Sequence, residues 1–482
     1  MSNTDKNHQS NLDAALLALT LDRIAEHPLH LQLSESLRAL VLTGHYGGQR
    51  LPASRVFAGE LGVSRMTVIS AYDQLIAEGY LIARRGDGTY IAKHLPHLVA
   101  PVSRPAPSTQ MTRPFLPFHP GIPDQTAFPH RPWARHLERA WRAPEARLLA
   151  QADPFGWLVL RAAIAAHLAA WRGLDCVPEQ VVITAGAWDG FDILSGAGLL
   201  RGQRLAMEDP GWPTLYRLIE HAGLRPVPLR IDTNGFVSTR IPERVANAVV
   251  TPSRHYPTGI AMPLARRLEL LHWAKTQDGL IIEDDYDSEF RYQGQPLPSL
   301  AGLDGLRRVV YMGSFSKLLS PSLRIGYLVL PEAHLNPVRA YLSAIGARAS
   351  LLPQPALASF MESGEFATHL RRMRRIYARR QAWLLQELTP VSDLLDLRPD
   401  ATGMHLCLSL HPKLRAATTD QELAAQGATH GLSLRALSTQ AKLPDPPQGL
   451  LLGYAGFTEE QLAQAASALV RLLRYSARHP GE

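Results

Sequence analysis

Apolar positions recur with a helical period three times near the start of the chain. Leu33, Leu37, Leu40 and Val41 fall at i, i+4, i+7 and i+8, one stripe of an amphipathic helix. The pattern predicts a second, short helix over 54–61 that stops at Gly62. A third opens on Ser64, a good N-cap, carries Val68, Ala71, Tyr72 and Leu75 on one face and ends near Gly79. From Tyr80 to Ala92 the residues alternate and fold back over Gly86, Asp87 and Gly88, the composition of a hairpin turn. Helix, turn, helix and hairpin describe a winged DNA-binding module. Ser64, Arg65, Met66 and Thr67 would stand at the groove-facing start of the third helix, and Arg84 and Arg85 on the wing. A three-helix domain with merely solvated arginines has the same spacing, and spacing alone leaves the two readings level.

Prolines 96, 101, 105, 107, 114 and 117 break any period, so residues 95–118 read as a linker between a block at 28–94 and a long remainder at 119–482; residues 1–27 read as a partly disordered tail. In the remainder helical and strand patterns alternate, as in an α/β domain. Leu280–Ile282 is a buried strand by pattern, delivering Glu283, Asp284, Asp285, Tyr286 and Asp287 at its end. The strand Val309–Met312 likewise delivers Gly313, Ser314, Phe315, Ser316 and Lys317, with Arg324 beyond a proline-containing turn. In open α/β sheets ligands sit outside that end of the strands.

Composition narrows the chemistry. The 482 residues, 46% hydrophobic and 19% charged, have room for two or three domains and exclude a disordered tail protein. Two distant cysteines, Cys176 and Cys407, offer neither a disulfide framework nor a cysteine-based zinc site, and fit a reducing cytoplasm. The apolar stretch Trp157–Trp171 is interrupted by Arg161 and His167, so no membrane span is expected, and the polar first residues lack a signal-peptide layout. The formal charge of +7 permits a polyanionic partner. Only six of the 50 basic residues are lysines, so chemistry needing a primary amine has few candidates.

The wording of the first block is more specific than its spacing. Gly48-Gln49-Arg50-Leu51-Pro52-Ala53-Ser54-Arg55, then Leu61-Gly62-Val63-Ser64-Arg65-Met66-Thr67-Val68, then Ala77-Glu78-Gly79-Tyr80-Leu81, closely resembles the winged helix of the GntR family of bacterial regulators. The resemblance implies operator DNA as partner, with Arg55, Ser64, Arg65 and Thr67 as phosphate and base contacts and the wing near Gly86–Thr89 in the minor groove.

An acid, a phenol, a lysine, hydroxyls and an arginine together suit pyridoxal phosphate. Its aldehyde condenses with an amine, a carboxylate keeps the ring nitrogen protonated, a phenol bonds the ring hydroxyl, and the phosphate needs hydroxyls, N–H groups and a guanidinium. The same two segments resemble the fold-type I aminotransferases, as do Asp153-Pro154-Phe155-Gly156, Thr184-Ala185-Gly186-Ala187, Glu208-Asp209-Pro210-Gly211-Trp212 and Pro257-Thr258-Gly259 in the same order. Fused to a GntR winged helix, they make the whole chain similar to the MocR/GabR family of pyridoxal-phosphate-dependent regulators.

That resemblance implies an α/β fold: an N-terminal winged helix-turn-helix, then an aminotransferase-like domain with large and small subdomains. It makes Lys317 the Schiff-base lysine, Asp284 the partner of the ring nitrogen and Tyr286 that of the ring hydroxyl. Ser314, Ser316, Arg324 and the backbone of Ala187 and Trp188 would hold phosphate. Trp212, where the family usually has Tyr, would stack on the ring, and His255 would lie beside it. It also implies a head-to-tail homodimer, a small effector (the cofactor itself or an amine or amino acid), and no membrane partner. The family's Ser-His-Gln reads Ser253-Arg254-His255 here. Its Gly-Leu-Arg-Leu-Gly-Phe-Ala reads Gly449-Leu450-Leu451-Leu452-Gly453-Tyr454-Ala455, so the arginine that anchors a substrate carboxylate is missing at Leu451. Arg435 or Arg254 could take that role. Without the anchor multiple-turnover transamination is not expected; the alternative is a working aminotransferase carrying a DNA-binding domain.

Overall fold

The structure, a computed structural model, describes residues 12–25, 27–43, 45–93, 115–150, 153–200, 202, 204–295 and 297–479. The chain divides into two compact units, residues 1–113 and 114–482.

In the first unit the apolar stripes become the core. Helix α1 (Leu29–Leu42) buries Leu33, Leu37 and Val41; α2 (Ser54–Leu61) buries Phe57 and Ala58; α3 (Arg65–Ala77) buries Val68, Ala71, Tyr72 and Leu75. Helix α2 ends because Gly62 turns left-handed, at φ +64°, and α3 begins because Ser64 Oγ accepts the Thr67 N–H at 3.1 Å. Strands β1 (Leu81–Arg84) and β2 (Gly88–Ile91) form the antiparallel hairpin, Arg84 opposite Gly88. Part of the expected tail 1–27 is structured, and residues 1–11 lie outside the described residues. Residues 12–17 are helical, with Leu12 and Leu16 buried in this same core, and Arg23 Nη2 donates to the Gly62 carbonyl at 2.6 Å. Most of the expected linker lies outside the described residues. At its far end Phe118 is fully buried in the second unit and bridges Gly453.

The second unit is built on a seven-stranded sheet of order β3-β9-β8-β7-β6-β4-β5: β3 (Val181–Thr184), β4 (Arg204–Asp209), β5 (Arg225–Arg230), β6 (Asn247–Val250), β7 (Leu280–Asp285), β8 (Val309–Ser314) and β9 (Gly326–Val329). All pairings are parallel except those of β9, which runs antiparallel to both neighbours. The inner strands β7 and β8 open on unbroken apolar runs because both faces of the sheet are covered there. Val182, Ile282, Val310 and Met312 enter one core layer; Val181, Ile183, Ile281, Val309 and Tyr311 enter the other. A smaller antiparallel sheet, order β10-β12-β11, follows: β10 (His405–Ser409), β11 (Arg435–Ala436) and β12 (Gly449–Gly453). Helices Glu365–Glu387 and Glu459–Arg478 bury apolar faces beside it. No described helix is long and apolar enough to cross a membrane.

Phe57, 1% exposed and stacked on Tyr72 at 6.3 Å, anchors the small unit. Phe57→Ala is expected to cost about 3–5 kcal/mol of that unit's stability in urea unfolding; a loss below about 1 kcal/mol would show that the three stripes do not share one core.

Candidate functional site: a cavity at the strand ends

Four acids stand within five residues at the end of β7, and the strand's alternation sorts them. Glu283 and Asp285 turn away from the cavity toward Arg172. Glu283 accepts the N–H groups of Leu300 and Ala301, each at 2.9 Å, and Arg172 Nε lies 2.8 Å from Asp285 Oδ2. Asp284 and Tyr286, two residues apart on the opposite side, line a cavity of about 360 Å³. Among the described residues no donor or cation pairs with the Asp284 carboxyl. Burial, then the Asp285 charge, pushes its pKa up to about 7, against the opposing pull of Lys317.

Strand β8 brings Lys317 to the same cavity, where its Nζ donates to the Gly121 carbonyl at 2.6 Å. Burial lowers the lysine's pKa, and Arg435 adds to the effect. Gly121 must be glycine: its φ is +79°, and a Cβ there would stand 2.9 Å from Nζ. At one end of the cavity the helix α4 (Ala187–Gly196) starts on Gly186, with no side chain capping the N–H groups of Ala187 and Trp188. Ser314, Ser316 and Arg324 line that end as well; Ser314 Oγ accepts the Ser316 N–H at 3.1 Å, and Arg324 has no carboxylate partner among the described residues. Trp212 lines the wall and packs on the core beneath.

His255 does not reach the cavity. It is 1% exposed, its Nδ1 pairs with Thr258 Oγ1 at 2.7 Å, and burial drives its pKa to about 3, so it stays neutral. Sequence reading assigned no role to Glu208, although its motif was in view. It ends β4, lines the cavity and accepts Thr251 N–H and Oγ1 at 3.0 and 2.6 Å, and burial raises its pKa to about 8. Arg435 also lines the cavity, its Nη1 3.3 Å from Tyr256 Oη. Leu451 does not line it; it is fully buried directly across β12 from Arg435, so the two side chains share a face. No local pattern marked Asp400 or His405, which the small subdomain brings in from more than a hundred residues away.

In the first unit Arg55, Ser64, Arg65, Arg84 and Arg85 are exposed and Thr67 half-buried. Ser64 Oγ and Thr67 Oγ1 lie 2.8 Å apart, so both hydroxyls are engaged in the helix cap. Arg84 lies over the Tyr90 ring at 4.3 Å, which holds one wing arginine in place.

Two family patterns match this chain: bacterial regulatory proteins of the gntR family over residues 29–91, and aminotransferase class I and II over residues 140–469. A probable rhizopine catabolism regulatory protein, MocR, of Rhizobium meliloti is 40% identical over 94% of this chain and 95% of its own. The chain belongs to the MocR/GabR-type family of transcriptional regulators. Another member, the pyridoxine biosynthesis transcriptional regulator PdxR of Corynebacterium glutamicum, is 35% identical over 89% of this chain and 93% of its own. Among solved structures, the α-aminoadipate aminotransferase LysN of Thermus thermophilus, crystallised with N-(5'-phosphopyridoxyl)-L-leucine, aligns with TM-score 0.65 and 26% identity over 75% of this chain and 92% of that one. The cofactor of this MocR-type domain is pyridoxal phosphate. The unpartnered Asp284, the Gly121 cradle under Lys317 and the uncapped helix start fit a protonated ring nitrogen, an amine-reactive aldehyde and a phosphate.

Glu208 gives the cavity a pH dependence. Its carboxyl binds its proton more tightly folded than unfolded, so the destabilisation is absent below about 4.5 and grows until the pH passes about 8. In cofactor-free protein, Glu208→Gln is expected to flatten the fall in melting temperature across that window, measured by calorimetry. Asp284 and Asp287, both raised to about 7, leave a residual slope. Parallel curves for the two proteins would show that Glu208 is not protonated in the fold.

Proposed function

We propose that this MocR-type regulator reads the state of its pyridoxal phosphate site and passes it to the winged helix. The observation that carries the reading is the convergence of Lys317, Asp284 and Tyr286 on one cavity in a chain whose other unit exposes Arg55, Arg65, Arg84 and Arg85. Lys317 would hold the cofactor covalently, and its lowered pKa favours the neutral, nucleophilic amine. Asp284 would keep the ring nitrogen protonated, Tyr286 would meet the ring hydroxyl, and Trp212 would stack on the ring. Ser314, Ser316, Arg324 and the α4 start would hold the phosphate. Bound there, the cofactor supplies an electron sink and an aldehyde that amines can claim. The effector is therefore the cofactor itself or an amine or amino acid entering the same cavity, acting within a head-to-tail homodimer in the cytoplasm.

A second reading, slow transamination, gains support from one feature. Arg435 offers a guanidinium on the cavity wall beside the position where the sequence lacks one. A bidentate grip there would set a substrate's carboxylate and leave Lys317 Nζ to move the proton. Turnover at about 1 s⁻¹ or faster with common amino acids would make this reading primary.

Protein mixed with pyridoxal phosphate is expected to develop a visible absorption band that Lys317→Ala abolishes. That variant's affinity for DNA from the gene's own upstream region should no longer respond to the cofactor. Borohydride reduction that traps the cofactor on Lys275 or Lys442 would overturn the assignment.

Arg65→Ala is expected to cost about 1–3 kcal/mol at particular operator positions. Arg55→Ala should weaken binding to all sequences and reduce the salt slope by about one unit. Unchanged affinity in Arg65→Ala would remove that residue from the interface.

A further inference from the structure

Arg254 lies in surroundings built for a guanidinium. It is 2% exposed and does not line the cavity. Its Nε and Nη2 donate to Asp400 Oδ2 at 3.0 and 2.8 Å, and Nη2 also donates to the His405 carbonyl at 2.8 Å. Nη1 donates to the Tyr286 hydroxyl at 2.9 Å and lies 3.5 Å from Asp287 Oδ2. Two glycines leave room for the pair. A Cβ at Gly403, where φ is +94°, would stand 2.2 Å from Arg254 Nε, and one at Gly259, where φ is +79°, would stand 2.4 Å from Asp400 Oδ2.

This seat removes Arg254 from the list of possible substrate anchors, because its charge is already taken by Asp400 and Asp287. It also fixes the direction of a hydrogen bond. A guanidinium has donors only, so the Tyr286 oxygen must accept from it, and the phenol's own hydrogen must go elsewhere. Tyr286 lines the cavity, so the cavity is where that hydrogen can go.

Resting on the cofactor reading above, we propose that Arg254 is a positioning residue that makes Tyr286 an obligate donor to the ring hydroxyl oxygen of bound pyridoxal phosphate. A donor there stabilises negative charge on that oxygen and competes with the proton that the lysine linkage would otherwise share with it. The bound cofactor's visible band therefore titrates at a lower pH than it would without Arg254. The other groups facing this corner are Asp287 beside Tyr286, Asp400 on the loop before β10, His405 on β10, Tyr454 after β12 and Tyr256; Asp284, Lys317 and Arg435 face the ring's cavity. His405 is held neutral, its pKa pushed well below the ordinary range by burial and then by Arg254. Removing Arg254 also changes the charge around His405, Asp287 and Asp400, so the part of any shift that disappears in a Tyr286→Phe background is what reports the Arg254–Tyr286 contact.

The test is a spectrophotometric pH titration of cofactor-loaded, full-length protein. Arg254→Met is expected to raise the pH midpoint of the visible band by about one unit or more. Gly403→Ala keeps the arginine but displaces it from its seat, and should shift the midpoint the same way; it decides the matter if Arg254→Met does not fold. In a Tyr286→Phe background neither change should add a further shift. A midpoint unchanged in both variants, or a shift that persists undiminished without the Tyr286 hydroxyl, overturns the proposal while leaving the cofactor reading intact. Absence of any visible band in the wild-type protein refutes both.

Discussion

Burying carboxylates at the end of one strand is the constraint around which the large unit is arranged. Each ionised group taken out of water costs several kcal/mol unless a partner compensates it. Strand β7 delivers Glu283, Asp284, Asp285 and Asp287 to a place with almost no solvent, and the fold answers with two buried arginines. Arg172 faces Asp285 and the backbone-satisfied Glu283 on one side, and Arg254 faces Asp287 and Asp400 on the other. Among these four acids Asp284 alone has no partner among the described residues, and it lines the cavity between the two clusters. Burial and the neighbouring Asp285 charge raise its pKa, against the pull of Lys317 across the cavity.

The same arrangement joins the two sheets of the second unit. Arg254 lies after β6 of the large sheet, and its partners Asp400 and His405 lie on and before β10 of the small one. Arg435 belongs to the small sheet yet lines the cavity at the end of the large one. Contacts from the small sheet thus reach Tyr286 by way of Arg254 and reach the cavity wall by way of Arg435.

The winged helix shows a different economy. Its hydrophobic residues serve three short helices and a hairpin, Arg38 is paired with Glu78, and Arg55, Arg65, Arg84 and Arg85 are exposed. The hydroxyls of Ser64 and Thr67 set the start of α3, and Arg65 beside them donates from Nε to Ser54 Oγ at 3.4 Å.

Much of this was legible in the sequence because it is local. Helical stripes, caps and the hairpin glycines specify the first unit residue by residue, and the unbroken apolar runs of β7 and β8 place Asp284, Tyr286, Ser314 and Lys317 at strand ends by their period alone. The ordered motifs identified the family. The rest depended on pairs far apart in the chain. His255 follows Arg254 by one residue, yet one is sealed against Thr258 and the other reaches Tyr286, a choice made by Gly403 and Asp400 from the small subdomain. Leu451 marks a missing arginine in the linear pattern, but its cross-strand neighbour Arg435 projects from the same face. Strand alternation can be read from one segment. Which residue stands opposite it, and which buried charge finds a partner, follow from chain packing that brings distant segments together, and only the tertiary structure decided them.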